Sequence, residues 1–332
     1  MVCLGIETSC DETSVGIVSN RNILANLILS QEKLHRDFGG IMPEIASRAH
    51  IETIRPLLAQ GFKDTGISAD DIDVIGVANR PGLKGSLLVG VAVAAGFSWK
   101  REIPFYPVNH LHAHLAANFI HNPPFPAIGL LVSGGHTSLY LINDYTDFSL
   151  IGTTQDDACG ETFDKVGRML NLPYPGGPHL ERIAKEGDPD AIRFPIPSVK
   201  NSLHFSFSGL KTAVSYHILK NGVRNPSDIA ASFQKTVGIF LLRQIKAALR
   251  KYKVKSLLFG GGVIQNNYLR SLFLQTFEKE KEMKIFIPEP SLCGDNGAVI
   301  ALLTEDLAKK DRCGGPLEIS VIPTKREKLK RK

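Results

Sequence analysis

A short run of histidines holds the side chains best suited to bind a metal ion. The run is His110-Leu-His-Ala-His114, in a segment whose apolar pattern predicts a helix over residues 110–120. On a helix, His110 and His114 lie one turn apart on one face, whereas His112 points to nearly the opposite side. The spacing predicts two metal ligands rather than three. Structural histidines that hydrogen-bond or face solvent explain the spacing equally well.

A third ligand does not follow from spacing. Asp295, in Cys293-Gly-Asp-Asn-Gly297, is a candidate, but it stands at a predicted helix start, where an N-cap is the structural alternative. No glutamate directly follows His110, so the H-E-x-x-H pattern of zinc proteases is missing. The paired histidines alone therefore do not define a protease.

The loop Glu7-Thr-Ser-Cys-Asp-Glu-Thr13 places three carboxylates and three hydroxyls between two predicted strands. Metal binding, phosphate binding or acid–base catalysis could each use these groups. A polar hairpin turn that caps its own backbone is the alternative.

Two glycine-containing turns could bring backbone N–H groups close to an anion. The first is Val132-Ser-Gly-Gly-His-Thr137, and the second is Gly260-Gly-Gly-Val-Ile-Gln-Asn266 between a predicted strand and helix. The second is not a G-x-G-x-x-G fingerprint, and a tight connection without a ligand remains its default interpretation. Another predicted helix start holds the acids Asp156, Asp157, Glu161 and Asp164, whose negative charge interacts favourably with the helix dipole.

Basic residues are concentrated in two places. Residues 243–255 hold Arg243, Lys246 and Arg250 with further lysines and no acid, which is usual for a solvated helix face but could also follow an RNA backbone. The chain has 39 Lys and Arg against 33 Asp and Glu, a net charge of +6. Its last eight residues, which include Lys325 and Arg326, hold six bases and one acid, so the rest of the chain is at +1.

The elements that must position these groups alternate between strands and helices. Strands are predicted over residues 3–7, 14–19, 23–29, 74–78 and 105–108, and helices over 43–59, 83–99 and 110–120. Such alternation predicts an α/β fold.

The pattern restarts at residue 128. Residues 128–142 repeat the plan of residues 4–18, an apolar strand, a polar loop and a second apolar strand, so two similar halves are predicted. A cleft between such halves would place both polar loops against one ligand. The later half ends in strand 256–259, helix 267–280, strand 284–288 and helix 295–308, and the Pro- and Gly-rich residues 171–208 are predicted to form loops.

The 332 residues are long enough for two domains. We expect an N-terminal lobe over residues 1–120, joined by helix 295–310, a C-terminal lobe over 121–294 and a tail over 311–332. Five scattered cysteines without C-x-x-C spacing favour reduced thiols. No apolar run is long enough to span a bilayer and no targeting segment is recognisable, so a cytoplasmic location without membrane association is expected.

Eight ordered motifs resemble those of the TsaD/Kae/Qri family of tRNA threonylcarbamoyladenosine synthases, in its bacterial branch. They are Gly5-Ile-Glu-Thr-Ser-Cys-Asp-Glu-Thr13, Gly39-Gly-Ile-Met-Pro-Glu-Ile-Ala-Ser-Arg-Ala-His50, Asn109-His-Leu-His-Ala-His114, Leu131-Val-Ser-Gly-Gly-His136, Asp156-Asp-Ala-Cys-Gly-Glu-Thr-Phe-Asp164, Tyr174-Pro-Gly-Gly-Pro178, Phe205-Ser-Phe-Ser-Gly-Leu-Lys211 and Cys293-Gly-Asp-Asn-Gly297. The resemblance runs from about residue 3 to residue 302. It implies the actin, Hsp70 and sugar-kinase fold, with two ribonuclease-H-like lobes around a nucleotide cleft.

The resemblance also implies roles for individual residues. His110, His114 and Asp295 would hold one divalent metal, iron or zinc, and Asp11 and Glu12 would lie close to the reacting centre. The residues implied to bind the adenylate are Leu131, Val132, Ser133, Gly134, Gly135, Asp164, Gly177, Glu181 and Asn266, with Gly261 and Gly262 as further nucleotide contacts.

The reaction implied is transfer of a threonylcarbamoyl group from threonylcarbamoyl-AMP to the exocyclic amine of adenosine 37 in the anticodon loop of tRNAs that read codons beginning with A. AMP is released, and ATP or AMP could also occupy the cleft. The implied partners are tRNA, proteins of the TsaB and TsaE type, and a TsaC or Sua-type enzyme that supplies the donor. The alternatives are a metalloprotease, a kinase or carbamoyltransferase of the same fold, and a nucleotide-gated module without enzymatic activity.

Overall fold

The computed structural model describes residues 1–35, 38, 40–199, 202–277, 283–310 and 320–323. Up to residue 122 its strands and α-helices are β1 (Val2–Glu7), β2 (Glu12–Ser19), β3 (Asn22–Ser30), α1 (Glu32–His35), α2 (Pro43–Thr65), β4 (Val74–Arg80), α3 (Lys84–Arg101), β5 (Phe105–Asn109) and α4 (His110–Ala116). From residue 123 they are β6 (Ala127–Val132), β7 (Thr137–Asp144), β8 (Asp147–Thr153), α5 (Cys159–Met169), α6 (Gly176–Ala184), α7 (Ser208–Asn221), α8 (Pro226–Lys251), β9 (Ser256–Gly260), α9 (Asn267–Phe277), β10 (Lys284–Phe286), α10 (Pro290–Cys293) and α11 (Gly297–Lys310).

The chain divides into two compact units. The first comprises Met1–Asn122, Tyr145–Asp147 and the described residues from Gly294 onward, and the second comprises Pro123–Asp144 and Phe148–Cys293. Helix α11 therefore belongs to the unit built by the first 122 residues, although it follows the whole second unit in the chain.

The first sheet has the order β3-β2-β1-β4-β5. Strands β1, β2 and β3 pair antiparallel, and β1, β4 and β5 pair parallel. The inward-facing side chains, among them Leu4, Ile6, Val15, Ile75 and Val77, are buried in one apolar core. Helical crossovers separate β3 from β4 and β4 from β5, as parallel pairing requires.

A row of glycines crosses the middle of this sheet. Gly5 pairs with Gly16 on one side and with Gly76 on the other. A Cβ at Gly5 or Gly16 would collide with the backbone of α11, and one at Gly76 would collide with the side chain of Thr304. The glycines leave a flat strip on the sheet, and helix α11 lies directly on it.

The second sheet repeats the arrangement of the first. Its order is β10-β9-β6-β7-β8, in which β6 and β7 pair antiparallel while β6, β9 and β10 pair parallel. A larger apolar core, rich in phenylalanine, covers it and includes Phe163, Phe205, Phe233 and Phe240. The duplicated strand plan predicted from residues 4–18 and 128–142 is confirmed.

Several predicted elements differ in extent from the observed ones. The loops predicted over residues 171–208 contain helix α6, and the helix predicted over 110–120 changes after Ala116 into a 3₁₀ helix, Ala117–His121. The helix predicted from Asp295 begins at Gly297, and the helix predicted over 43–59 continues to Thr65, where Gly66 ends it at φ 68°.

Four of the five cysteines lie in the described part of the chain. Cys3, Cys10, Cys159 and Cys293 are free thiols, while Cys313 lies outside the described residues. The tail predicted over 311–332 is described only at residues 320–323. In the described part of the chain, we find no helix with the length and apolarity needed to cross a membrane.

We predict that Gly16→Ala destabilises the first unit, because its new methyl group must displace the backbone of α11. Overpacking of this kind costs about 3 kcal/mol. Urea unfolding would measure the loss. Gly96→Ala is the matched control, since Gly96 is exposed on helix α3 and a Cβ added there would meet nothing within 4 Å, and it should stabilise by up to about 1 kcal/mol. Equal effects of the two substitutions would contradict the proposed close packing.

Candidate metal centre and nucleotide-binding residues

The candidate metal centre lies at the carboxyl edge of the parallel strands of the first sheet. Glu7 ends β1, and Asn109 ends β5. The Asn109 side chain accepts a hydrogen bond from the Leu111 N–H at 2.9 Å and so caps helix α4, which begins at His110. The strand ends thus place the histidine helix beside the Glu7–Thr13 loop.

Three side chains converge there. The Nε2 atoms of His110 and His114 are 3.2 Å apart, and Asp295 Oδ1 lies 3.6 Å from the first and 3.2 Å from the second. Ligand atoms around one tetrahedral zinc ion, each about 2.0–2.1 Å from the metal, lie about 3.3–3.4 Å apart. The two imidazoles and the carboxylate therefore fit a single divalent ion, and two-histidine, one-carboxylate sets bind both zinc and iron. These residues are the ones implied by the family resemblance.

Glu7 orients the first of these histidines. Its Oε2 lies 2.8 Å from His110 Nδ1, and Ser9 Oγ is 3.3 Å from the same nitrogen. Burial disfavours a protonated His110, but the carboxylates of Asp295 and Glu7 outweigh it and raise the pKa of His110 to about 9. A carboxylate behind a ligating histidine fixes the ring and increases its basicity toward a metal.

His112 is excluded from the cluster, as its spacing predicts. Burial, together with the positive charge of Arg80, lowers the pKa of His112 to about 3. The ring is therefore neutral at physiological pH and takes no part in the convergence of His110 and His114.

Asp295 is not the cap of helix α11. Asn296 fills that position, because its Oδ1 accepts a hydrogen bond from the Val299 N–H at 3.1 Å. Ser14 Oγ accepts from the Gly297 N–H at 2.8 Å. The N-cap interpretation of Asp295 is wrong, and its carboxylate lies beside the histidines instead.

Asp11 and Glu12 lie on the loop next to this centre. Burial, followed by the nearby carboxylates of Asp295 and Asp11, raises the pKa of Glu12 well above its usual range. Glu12 therefore holds a proton at neutral pH, and it is hydrogen-bonded to Asp11. Of the two predicted catalytic residues, Glu12 is the one whose carboxyl group its surroundings keep neutral.

A buried hydrogen-bond network supports that loop. His50, on helix α2, places Nε2 at 3.0 Å from the Cys10 carbonyl and Nδ1 at 2.7 Å from Thr13 Oγ1. Gln31 donates its backbone N–H to the Asp11 carbonyl at 2.9 Å, and its side-chain nitrogen lies 3.2 Å from His50 Nδ1. The residues on either side of Asp11 and Glu12, Cys10 and Thr13, are thus hydrogen-bonded to one buried imidazole.

The predicted nucleotide-binding residues belong to the second unit. Leu131 and Val132 end β6, and Ser133, Gly134 and Gly135 form the turn that follows. The Ser133 N–H donates to the His136 carbonyl at 2.8 Å, while both glycines are exposed with open space around them. The turn therefore presents accessible backbone at the end of a parallel strand.

The glycine turn after β9 lies against the same strand end. Gly261 has φ 94°, and a Cβ there would collide with the Val132 carbonyl. Gly262 begins a 3₁₀ helix, Gly262–Gln265, and has open space at its Cβ position. Only glycine at position 261 permits this approach of the two backbones.

Two carboxylates that are predicted to bind the adenylate, those of Asp164 and Glu181, accept hydrogen bonds from protein amides. Asp164 Oδ1 accepts from the Gly177 N–H at 3.1 Å, and burial raises the pKa of Asp164 although the Gly177 and Gly176 amides oppose the shift. Glu181 Oε1 accepts from both the backbone and the side-chain nitrogen of Asn267, each at 2.9 Å. These contacts fix the positions of the two carboxylates.

A cavity of about 360 Å³ opens beside Glu181. Its lining includes Gln234, Asn267 and Tyr268. Gln234 also accepts a hydrogen bond from the Asn266 side chain at 2.7 Å, so Asn266 lies directly behind the lining. The cavity is of the size that small-molecule sites have.

The predicted RNA-binding residues are only partly described. Arg243, Lys246 and Arg250 are exposed on helix α8. Lys325 and Arg326 lie outside the described residues.

Sequence reasoning missed the pairing of Glu7 with His110 and the His50 network. The first could have been found from the rule that the carboxyl ends of parallel strands share one sheet edge. The second has no local signal, because it joins residues 10–13 to a helix some 40 positions away.

Fold and site together define a protein of the actin, Hsp70 and sugar-kinase class with a candidate metal centre. Two solved structures share the fold. HypF from T. kodakarensis has a TM-score of 0.65 at 15% identity, over 93% of this chain and 48% of that one. Component A of the (R)-2-hydroxyglutaryl-CoA dehydratase of Acidaminococcus fermentans has a TM-score of 0.55 at 16% identity, over 92% and 97% of the two chains.

The family model for the tRNA N6-adenosine threonylcarbamoyltransferase TsaD matches residues 22–302. The tRNA N6-adenosine threonylcarbamoyltransferase of Chlamydia trachomatis serovar L2b is 46% identical over 320 residues, which cover 92% of this chain and 93% of that protein. The chain belongs to the TsaD family.

We predict that His114→Ala or Asp295→Asn lowers the metal content of the purified protein at least tenfold, because each removes one of three converging ligands. Elemental analysis after equilibration with zinc or iron would measure the bound ion. His112→Ala is the matched control, from the same helix, and should retain the wild-type content. Loss of metal from His112→Ala alone would contradict the assignment.

Proposed function

We propose that this chain transfers a threonylcarbamoyl group from threonylcarbamoyl-AMP to the N6 amine of the anticodon-loop adenosine of tRNA. The observation that supports the proposal is the convergence of His110, His114 and Asp295 in a member of the TsaD family. In the reaction, a bond forms between N6 and the carbamoyl carbon, and the bond from that carbon to the phosphate oxygen breaks. AMP leaves with the electron pair, and the amine loses a proton.

Recognition of the adenylate is assigned to the second unit. Exposed backbone at Gly134 and Gly135 suits the phosphate, while the carboxylates of Asp164 and Glu181 suit ribose hydroxyls. The cavity beside Glu181 and the Gly261–Gly262 turn would take the remainder of the nucleoside. ATP or AMP would use the same contacts.

Chemistry at the carbonyl is assigned to the first unit. A divalent ion held by His110, His114 and Asp295, either iron or zinc, would supply Lewis acidity toward an acyl oxygen. Glu7 holds the His110 ring in place, and the His50 network fixes the loop that presents Asp11. Asp11 is assigned as the acceptor of the proton from the attacking amine, because burial favours the neutral form of Glu12 beside it.

The assignments of cellular location, partner proteins and tRNA identity rest on membership of the TsaD family. The chain would work in the cytoplasm with proteins of the TsaB and TsaE type, receive its donor from a TsaC or Sua-type enzyme, and modify tRNAs that read codons beginning with A. A target base in a single-stranded loop costs less to unstack than one in a duplex.

The activity predicts a specific product. The purified full-length chain, incubated with metal, unmodified tRNA, threonylcarbamoyl-AMP and the two partner proteins, should yield threonylcarbamoyladenosine in a nucleoside digest read by mass spectrometry. Omission of the chain should abolish the product. If the metal-loaded protein forms none, or instead phosphorylates a sugar, the proposed function is wrong.

The division of roles between Asp11 and Glu12 predicts unequal effects of substitution. Asp11→Ala should slow single-turnover transfer from supplied donor by about 10²–10⁴-fold, the usual contribution of a general base. Glu12→Gln should slow it less than tenfold, because an amide has the shape of the neutral carboxyl group that burial favours at this position. Wild-type rates in Asp11→Ala would refute its role as the proton acceptor.

A further inference from the structure

A groove in the second unit is lined by cations that have no acidic partner in the described structure. Its volume is about 470 Å³, and it lies between helix α8 and residues 197–199 and 202–204. Arg243, Arg250 and Lys251 line it, and none of its lining residues is acidic. The ion pairs formed by other lysines of this unit, such as Lys211 with Asp157, do not involve these three. The groove therefore has a local excess of positive charge.

Helical spacing explains why the cations face one groove. Arg243, Ala247, Arg250 and Lys251 are separated by four, seven and eight positions, so they lie on one face of α8. Lys246 lies to the side and is not among the lining residues. The two arginines are about 10.5 Å apart along the helix axis, so the face can contact more than one phosphate group.

The opposite wall is held in place by a buried side chain. Gln244, only 5% exposed, donates its side-chain N–H to the carbonyl of Ser202 at 3.3 Å and to that of His204. His204 Nδ1 in turn lies 3.0 Å from the Thr153 carbonyl at the end of β8. Hydrogen bonds between the two walls therefore fix the width of the groove.

The chemistry of the lining indicates the ligand. Guanidinium groups bind phosphate oxygens through paired N–H donors, and the hydroxyls of Ser198 and Ser202 add further donors. Of the two aromatic rings in the lining, Phe240 is buried in the core, and His204 is only partly exposed and is held by its hydrogen bond to the Thr153 carbonyl. Such a surface suits a nucleic-acid backbone, which phosphate contacts hold without reading base sequence.

We propose that this groove binds backbone phosphates of tRNA and so forms a docking site separate from the residues that bind the adenylate. The proposal rests on the proposed function, because it takes the substrate of that reaction as its ligand. It specifies the surface of the second unit that binds the RNA. Arg243 and Arg250 would contact the phosphates from helix α8, and Ser198 and Ser202 would contact them from the opposite wall.

The test compares tRNA binding by the full-length protein and by Arg243→Gln/Arg250→Gln, using fluorescence anisotropy between about 50 and 200 mM salt. Gln keeps a similar helix propensity, so α8 should persist. We expect affinity at low salt to fall about tenfold, and the slope of log affinity against log salt to become shallower by about one for each lost phosphate contact.

Lys220→Gln/Arg224→Gln is the matched control. It removes the same charge from exposed positions of the same unit that do not line the groove, and its affinity should stay within about twofold of the wild type. Ala247→Glu, which keeps both arginines but places a carboxylate between them, should weaken binding as the double substitution does. Equal losses in the groove and control variants, or wild-type binding by both groove variants, would overturn the proposal.

Two further measurements separate the possible explanations. In the transfer assay, the groove variant should show a raised KM for tRNA with an unchanged kcat and unchanged AMP binding. Unchanged KM would overturn the docking site while leaving the proposed function intact, whereas absence of transfer by the wild type would overturn the proposed function itself. If the groove variant loses AMP or inorganic phosphate binding and keeps its tRNA affinity, the ligand is a small free phosphate compound and the RNA proposal is wrong.

Discussion

The close contact of helix α11 with three glycines is the constraint on which the first unit depends. Gly16, Gly5 and Gly76 stand in register across β2, β1 and β4, and any side chain at Gly5 or Gly16 would push the helix away from the sheet. The helix brings with it Asp295, which lies about 180 positions after His114 in the chain. A contact made of backbone and small residues thus completes the cluster of ligands, because the packed interface fixes the start of the helix and Asp295 lies two residues before that start.

The same edge of the sheet collects negative charge. Glu7, Asp11, Glu12 and Asp295 lie on or beside one loop, where carboxylates this close together repel one another and favour a nearby cation. Burial and the neighbouring carboxylates raise the pKa of Glu12, and the carboxylates of Asp295 and Glu7 raise the pKa of His110. A divalent ion held by the histidines would meet a favourable potential, since the carboxylates that raise the pKa of His110 would equally attract a metal.

Local patterns predicted the parts of this site, and distant packing decided how they meet. The apolar strands, the one-turn spacing of His110 and His114 and the duplicated plan were readable because they depend on periods of two and 3.6 residues. The capping role of Asn296 in place of Asp295 was not readable, because it depends on where helix α11 begins, and the helix begins two residues later than predicted. Helix α6 was missed because proline and glycine were taken as loop signals, although both are compatible with a first helical turn such as Gly176–Pro178.

Charge is distributed in a way that separates the candidate metal centre from the groove proposed to bind RNA. Outside the last eight residues the chain is nearly neutral, so attraction to RNA cannot come from a general positive field. The groove on α8 supplies positive charge locally, with guanidinium groups that meet no carboxylate among the lining residues. Acidic residues are concentrated instead around the candidate metal centre, where they would bind a cation and receive a proton. A chain whose net charge is close to zero can bind a polyanion on one surface and concentrate carboxylates on another, provided that the basic and the acidic residues are clustered on separate surfaces.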